Sequence, residues 1–230
     1  MTKRHLIAFI IGSLLAIVAR NATVKDYLRS IPHSRPSFRS LSHPQPRAVL
    51  MEGELPICSV AIEKDTLYTA GHCVKALRLR EGDEAEVLLQ KGAAPARQKV
   101  YIRKVFSDIA ILSFSKTDPI KSPAGVKVEA GARVVAVMGC LLSNDPDVYR
   151  TSLPYFEREG KVLAVFTAKE IGLSDIDPDI PPATRFAILD IGSFGGNSGS
   201  GVYLKGKDGK RHLIGVVSAG ISDYTAVALL

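Results

Sequence analysis

The serine at position 198 stands among glycines, in a stretch that few folds can accommodate. Residues 194–201 read Phe-Gly-Gly-Asn-Ser-Gly-Ser-Gly. Glycine adopts backbone conformations that side chains hinder, so this run predicts a tight turn whose backbone N–H groups converge on one point. A serine in such a turn is a candidate nucleophile. The N–H groups of Gly196 and Ser198 are then candidates for stabilising an oxyanion.

Two upstream segments supply the partners that such a serine needs. Residues 69–73 read Thr-Ala-Gly-His-Cys, and residues 107–112 read Ser-Asp-Ile-Ala-Ile-Leu. A serine hydroxyl becomes nucleophilic when an imidazole takes its proton, and a carboxylate must orient that imidazole. An unpaired carboxylate would be costly to bury beside the apolar run after Asp108. The pattern therefore predicts Ser198 as the nucleophile, His72 as the general base and Asp108 as the orienting carboxylate.

At these segments the chain resembles the chymotrypsin-like family of serine proteases. The blocks around His72, Asp108 and Ser198 occur in the family's order, at separations of 36 and 90 residues. Residues 215–220, Gly-Val-Val-Ser-Ala-Gly, resemble the segment that lines the family's substrate channel. The resemblance covers about residues 49–230. It implies a serine endopeptidase that acts on polypeptides through an acyl-enzyme intermediate, with no cofactor. No metal site is expected, because no further Cys or His clusters with the three cysteines in the sequence.

The same resemblance implies a disulfide and a substrate pocket. Cys58 and Cys73 occupy the positions of the family's histidine-loop disulfide, so the third cysteine, Cys140, has no predicted disulfide partner. Such a bridge needs an oxidising compartment. The implied pocket positions are Gly192, Ser193, Val217, Ser218, Ala219 and Gly220. None of them carries a charge, which disfavours cleavage after Lys or Arg and favours an apolar residue before the scissile bond.

The pattern from residue 49 onward is one of short apolar runs separated by turn residues, which is typical of an all-β chain. With the resemblance, it predicts two six-stranded antiparallel β-barrels of the chymotrypsin-like type, with the catalytic cleft between them. Barrel one is placed at about residues 49–114, a connector at 115–130 and barrel two at about 131–230. The runs interpreted as strands are 57–62, 66–70, 86–89, 98–105 and 109–114 in barrel one, and 133–138, 161–166, 186–191, 201–204, 213–218 and 225–229 in barrel two.

The first 47 residues differ from the rest. Residues 6–19 are apolar and follow two basic residues, which is typical of a secretory signal and too short for a full membrane span. A poor cleavage site favours an uncleaved signal anchor over a removed peptide for residues 1–29; a buried N-terminal helix is the alternative. Residues 30–47, rich in Pro, Ser and Arg, are interpreted as an extended tether. Residues 48–230 would then be a protease domain outside the cytoplasm, secreted or anchored in a membrane.

The net charge of +7 comes from this N-terminal region. Residues 1–47 hold eight of the 30 Lys and Arg residues and one of the 23 Asp and Glu residues, so 22 of each sign remain. A neutral folded part argues against a nucleic-acid-binding domain. Asp175, Asp177 and Asp179 alternate in a loop at 167–184, interpreted as solvated rather than calcium-binding because the usual glycine turn and terminal Glu are missing.

Two classes of function are compatible with these features. The first is an active, membrane-tethered endopeptidase. The second is a catalytically silent protease fold that serves as a binding module. The complete set of His72, Asp108 and Ser198 favours the first, and the sequence leaves the physiological substrate and the oligomeric state open.

Overall fold

A computed structural model describes residues 37–39, 47–117, 119–120, 126–139, 153, 155–175, 177–193, 195–206, 209–221 and 223–230. The predicted signal anchor, most of the predicted tether and Cys140 lie outside these residues. Within them, no helix has the length and apolar character needed to cross a membrane.

The regular secondary structure of the described residues is nearly all strand, as the spacing of apolar runs predicts. In order, the elements are β1 Ser37–Arg39, β2 Arg47–Glu52, β3 Leu55–Glu63, β4 Thr66–Ala70, α1 Gly71–Ala76, β5 Glu84–Gln90, β6 Ala96–Phe106, β7 Ile109–Ser113, β8 Arg133–Gly139, β9 Tyr155–Thr167, β10 Arg185–Leu189, β11 Gly201–Lys205, β12 Arg211–Ile221 and β13 Tyr224–Leu229. Strands β1 and β2 and helix α1 are additions to the predicted elements, and β9 begins six residues earlier than its predicted counterpart at 161–166.

Two closed antiparallel barrels are present, which confirms the predicted fold class. Barrel one runs β2-β3-β4-β7-β6-β5 and closes where β5 pairs with β2. Barrel two runs β9-β10-β13-β12-β11-β8 and closes where β8 pairs with β9. Strand β1, which lies inside the predicted tether, adds to β9 through the pairs Ser37 to Arg39 with Glu159 to Glu157. Closure pairs every barrel strand with a neighbour on each side over at least part of its length.

Alternating side chains build three layers of core. In β7, Ala110 and Leu112 point into barrel one, while Ile109 and Ile111 pack against barrel two. Phe186 and Ile188 of β10 come from barrel two to the same interface. Because both faces of such strands are buried, they read as continuous apolar runs instead of alternating with polar residues. The interface fixes the two barrels against each other, and the candidate site lies at their junction.

Candidate active site

Helix α1 brings His72 next to Asp108. Strand β4 pairs with β7 so that Ala70 lies opposite Ile109. Asp108 directly precedes Ile109, and His72 follows Ala70 after one residue, Gly71. The Gly71 N–H donates to the Asp108 carbonyl over 3.0 Å. A Cβ at position 71 would lie 3.1 Å from the carbonyl carbon of Asp108, so glycine permits this close approach.

The Asp108 carboxylate receives three donors from its surroundings. Its Oδ1 accepts the His72 backbone N–H at 2.8 Å. The His72 Nδ1 lies 3.1 Å from Oδ1 and 3.0 Å from Oδ2. The Ser218 hydroxyl donates to Oδ2. A buried carboxylate with this set of donors is held as the anion and fixes the orientation of the imidazole ring.

The pKa values of the two groups move in opposite directions. Burial alone would lower the pKa of His72, but the charge and hydrogen bond of Asp108 outweigh it, so the pKa of His72 lies above its ordinary value. Burial likewise would raise the pKa of Asp108, but His72 and the Ser218 hydroxyl outweigh it, so this pKa lies below its ordinary value. Asp108 therefore stabilises the imidazolium form of His72, which is what a base that stores a proton during a reaction needs.

Ser198 stands in the loop that precedes β11 of barrel two. Its carbonyl accepts the Ser59 N–H at 2.8 Å, and Ser59 follows Cys58, which is bonded to Cys73 beside the histidine. Ser198 is 7% exposed and His72 is 9% exposed. His72 Nε2 makes no hydrogen bond within the described residues, to Ser198 or to any other group. A nucleophile and base in a substrate-free enzyme often tighten only when substrate binds.

Neutral hydrogen bonds hold the loop that carries Ser198. The Asn197 side-chain amide donates to the Gly139 carbonyl, and the Gly139 N–H donates to the Ser200 hydroxyl at 3.1 Å. Gly196 has φ of 89°, in the region that favours glycine, and its carbonyl accepts the Ser59 hydroxyl at 3.2 Å. The residue chosen from sequence as an oxyanion donor thus occupies a backbone conformation that a side chain would disfavour.

Gly199 sits in the tightest part of the loop. Its φ is 82°, and a Cβ there would lie 2.0 Å from the Ser59 carbonyl oxygen and 2.4 Å from the Thr69 hydroxyl. We expect Gly199→Ala to lower the free energy of unfolding by about 3 kcal/mol or more, because it combines overpacking with backbone strain. Urea denaturation measures this loss.

Gly82→Ala is the matched control for that prediction. Its φ is 91° and no atom lies within 4 Å of a Cβ there, so it carries backbone strain without the clash. We expect this variant to lose about 1 kcal/mol. Equal losses in the two variants would contradict the steric reason given for Gly199.

The predicted pocket positions come together on facing segments. The Gly192 carbonyl accepts the Arg158 guanidinium at 2.6 Å. Ser193 is 3% exposed, its hydroxyl has no hydrogen-bond partner among the described residues, and it abuts Gly220, where a Cβ would lie 1.5 Å from that hydroxyl oxygen. Two of the predicted pocket positions, Ser193 and Gly220, are therefore in contact with each other.

The remaining pocket positions have additional or different contacts. The Val217 side chain packs in the core of barrel two, and the Ala219 side chain packs at the interface between the barrels. The Ser218 hydroxyl donates a hydrogen bond to the Asp108 carboxylate. These residues can line a substrate channel through their backbone, since that backbone continues β12 past the serine loop.

The cysteine pair forms as the resemblance implies. Cys58 and Cys73 are joined in a disulfide that spans 15 residues and links β3 to the histidine helix. In the loop-entropy model such a bridge contributes about 3 kcal/mol. These two sulfurs and His72 lie within 4.8 Å of one another, but disulfide sulfurs are not thiolates and do not bind metal ions as thiolates do.

Two contacts of the site were not predicted from sequence. Lys75, one turn after His72, pairs with Asp179 at 2.9 Å and with Asp177 at 3.5 Å, which ties the acidic loop to the histidine helix. Arg158 reaches the pocket from inside barrel two. The alternation of residues in β9 would have indicated Arg158 had the start of that strand been recognised.

Comparisons with known proteins support the fold. No protein-family model matches the chain. No curated protein sequence matches it. Among similar solved structures is the Rv3671c protease in an inactive form, with 20% identity, a TM-score of 0.55, and coverage of 86% of this chain and 93% of that one. An inactive mutant of Rv3671c from M. tuberculosis has 16% identity, a TM-score of 0.55, and coverage of 87% and 91%. A mutant of human heparin binding protein has 16% identity, a TM-score of 0.51, and coverage of 87% and 92%.

The chain shares the fold of these structures, the two-barrel chymotrypsin-like fold. At these identities the likeness is one of fold. Activity has to be argued from the site.

Proposed function

We propose that the chain is a serine endopeptidase. The observation that carries the proposal is the buried hydrogen-bonded set of His72, Asp108 and Ser218, with Ser198 joined to barrel one by the bond from the Ser59 N–H to its carbonyl. The raised pKa of His72 fits a base that must hold a proton during the reaction. An intact set of this kind favours an active enzyme over a silent binding module with the same fold.

In the proposed reaction, the Ser198 oxygen attacks the peptide carbonyl while His72 Nε2 takes the hydroxyl proton. The backbone N–H groups of Gly196 and Ser198 donate to the oxyanion that forms. His72 then gives its proton to the leaving amine, and the C–N bond breaks to leave an acyl group on Ser198. Water, deprotonated by His72, attacks this ester and releases the acid product and the serine.

The substrate is proposed to bind in extended form along β12. Beyond Val217, the side of β12 that faces away from β13 carries no strand ladder among the described residues. Unpaired backbone groups on such an edge bind a peptide by adding it as a further strand. The pocket positions Gly192, Ser193 and Gly220 are neutral, which supports an apolar residue before the scissile bond.

The location of the enzyme is proposed to be outside the cytoplasm. The Cys58–Cys73 disulfide supports this, because such bonds persist in oxidising compartments. The apolar run at residues 6–19 supports tethering to a membrane. Both points concern where the enzyme acts and are independent of the chemistry at Ser198.

A peptide-library assay tests the proposal. The purified chain, with the disulfide formed, is incubated with a pool of peptides that presents every residue type on both sides of the cut, and the products are identified by mass spectrometry. Cleavage at internal peptide bonds, absent after Lys and Arg, is the expected result. Binding of peptides without any cleavage would support the silent binding module instead.

A further inference from the structure

Arg158 places a charge inside barrel two. On β9, Phe156 and Val162 pack against the barrel core, and Arg158 shares their side of the strand. The intervening residue Glu157 faces outward and pairs with Arg211. Arg158 is 5% exposed, so its guanidinium is almost wholly removed from water.

The guanidinium contacts the floor of the candidate substrate pocket. Its Nη1 donates to the Gly192 carbonyl at 2.6 Å, a charge-assisted bond of the stronger kind. The preceding carbonyl, of Ile191, accepts the hydroxyl of fully buried Thr225. Ile191 also lies against β9, since a Cβ at Gly160 would come within 2.4 Å of its side chain. Two successive carbonyls of a segment without regular secondary structure are therefore held by side chains of β9 and β13.

Burial of a cation at this position carries a desolvation cost, which the Phe156 ring, 5.3 Å from the guanidinium carbon, offsets in part. Burial disfavours the charged form and lowers the pKa of Arg158 below its usual range. An apolar side chain of similar volume would avoid this desolvation cost. A Met or Leu beside Phe156 would suit the barrel core. Residues that depart from the apolar packing expected of a barrel core concentrate at functional sites.

We propose that Arg158 is a positioning residue, which holds the pocket floor at Gly192 and thereby the serine loop in the arrangement that Ser198 needs. The proposal rests on the peptidase function proposed above. Gly192 stands six residues before Ser198, and the other end of the loop is fixed by the bond from the Gly199 N–H to the Val217 carbonyl. Without Arg158 the Gly192 carbonyl would lose its charged donor, and the segment between the Thr225 bond at Ile191 and the serine loop would be held less firmly.

The test compares stability with activity in Arg158→Met. We expect its free energy of unfolding in urea to stay close to that of the wild type, because Met keeps most of the volume and removes the cost of burying the charge. We expect kcat/KM to fall about 100-fold for all cleaved peptides, since a shift of about 1 Å in a catalytic group has that effect. Arg158→Lys, which keeps a charged donor, should recover part of the activity. Millimolar guanidinium should recover part of it in Arg158→Ala.

Three results would overturn the role of Arg158. One is activity within about threefold of the wild type in Arg158→Met. Another is a loss of activity that is matched by a loss of stability, which would make Arg158 a structural support only. The third is a loss confined to peptides with Asp or Glu before the scissile bond, which would mean that Arg158 contacts the substrate itself.

Labelling with a fluorophosphonate separates this proposal from the one it rests on. A wild type that is neither labelled nor active would overturn the peptidase function and the role of Arg158 together. A labelled wild type with an Arg158→Met variant that is labelled at the same rate would overturn the role of Arg158 alone. Slower labelling of the variant at unchanged stability supports it.

Discussion

Ser198→Ala is expected to lower peptide turnover by about 10⁴ to 10⁶ while the fold stays intact. The change removes one oxygen atom, and the loop is held by other groups, including the Ser198 carbonyl and the Asn197 amide. Residues that act as a unit give similar losses when any one is removed, so His72→Ala should lose about as much. Turnover of a fluorogenic peptide, with thermal unfolding as a check on the fold, measures both.

Ser200→Ala is the matched control, two residues further along the same loop. Its hydroxyl accepts the Gly139 N–H, so its loss leaves a buried donor unsatisfied and should lower stability by about 1 to 2 kcal/mol. Turnover should stay within about tenfold of the wild type, because no proton transfer involves this hydroxyl. Retention of more than a tenth of the activity by Ser198→Ala would contradict its assignment as nucleophile.

Asp108→Asn is expected to lower kcat/KM by about 10⁴. The His72 backbone N–H binds at Oδ1, so the asparagine oxygen is best placed there and its amide then points at the ring. The amide would donate to His72 Nδ1, which forces the proton onto Nε2. A protonated Nε2 cannot accept the proton of Ser198. The Ser218 hydroxyl can turn to accept from the amide, so the fold should tolerate the change.

The same variant shifts the pH dependence. The reaction needs neutral His72, so kcat/KM rises with pH through the pKa of that group. Asp108 raises this pKa, which places the acid limb of the wild-type profile above the ordinary histidine value. Removing the carboxylate charge should move the acid limb of the activity that remains to lower pH. Asp179→Asn removes an exposed carboxylate that pairs with Lys75. It should leave both the acid limb of the pH profile and kcat/KM nearly unchanged. An unmoved limb in Asp108→Asn would contradict the role of Asp108.

Local patterns in the sequence were sufficient to predict most of the barrel strands. Runs such as 109–112 are apolar throughout because both of their faces are buried, and the sequence shows this directly. The disulfide of Cys58 and Cys73 was also predicted correctly, from the resemblance. The contact of His72 with Asp108 follows from the pairing of β4 with β7, which places the two motifs side by side.

The features that were missed depend on barrel closure. Strand β2 is a short apolar run after a proline-rich stretch, and its burial comes from pairing with both β3 and β5. The start of β9 reads Tyr-Phe-Glu-Arg-Glu-Gly, which looks exposed until β8 pairs along it. Arg158 was overlooked for this reason. Strand β1, within the predicted tether, is defined by its pairing with β9 alone.

The contacts of Ser218 and Lys75 were also missed, because they join segments that are distant in the sequence. A shift in the pairing of β12 with β13, between Val217 and Ala219, accompanies the turn of the Ser218 hydroxyl toward Asp108. An interruption of this kind has no signature in a run of apolar residues. The pairing of Lys75 with the acidic loop joins residues 104 positions apart in the chain.

The central claim is that Ser198 is activated by His72, and covalent labelling tests it most directly. A fluorophosphonate reacts with a serine only where a base and an oxyanion site assist the attack. We predict one adduct per chain, located on Ser198 by mass spectrometry of the digested protein, and none in Ser198→Ala or His72→Ala. A folded, disulfide-bonded wild type that takes up no label, or that carries it on another residue, would contradict the claim.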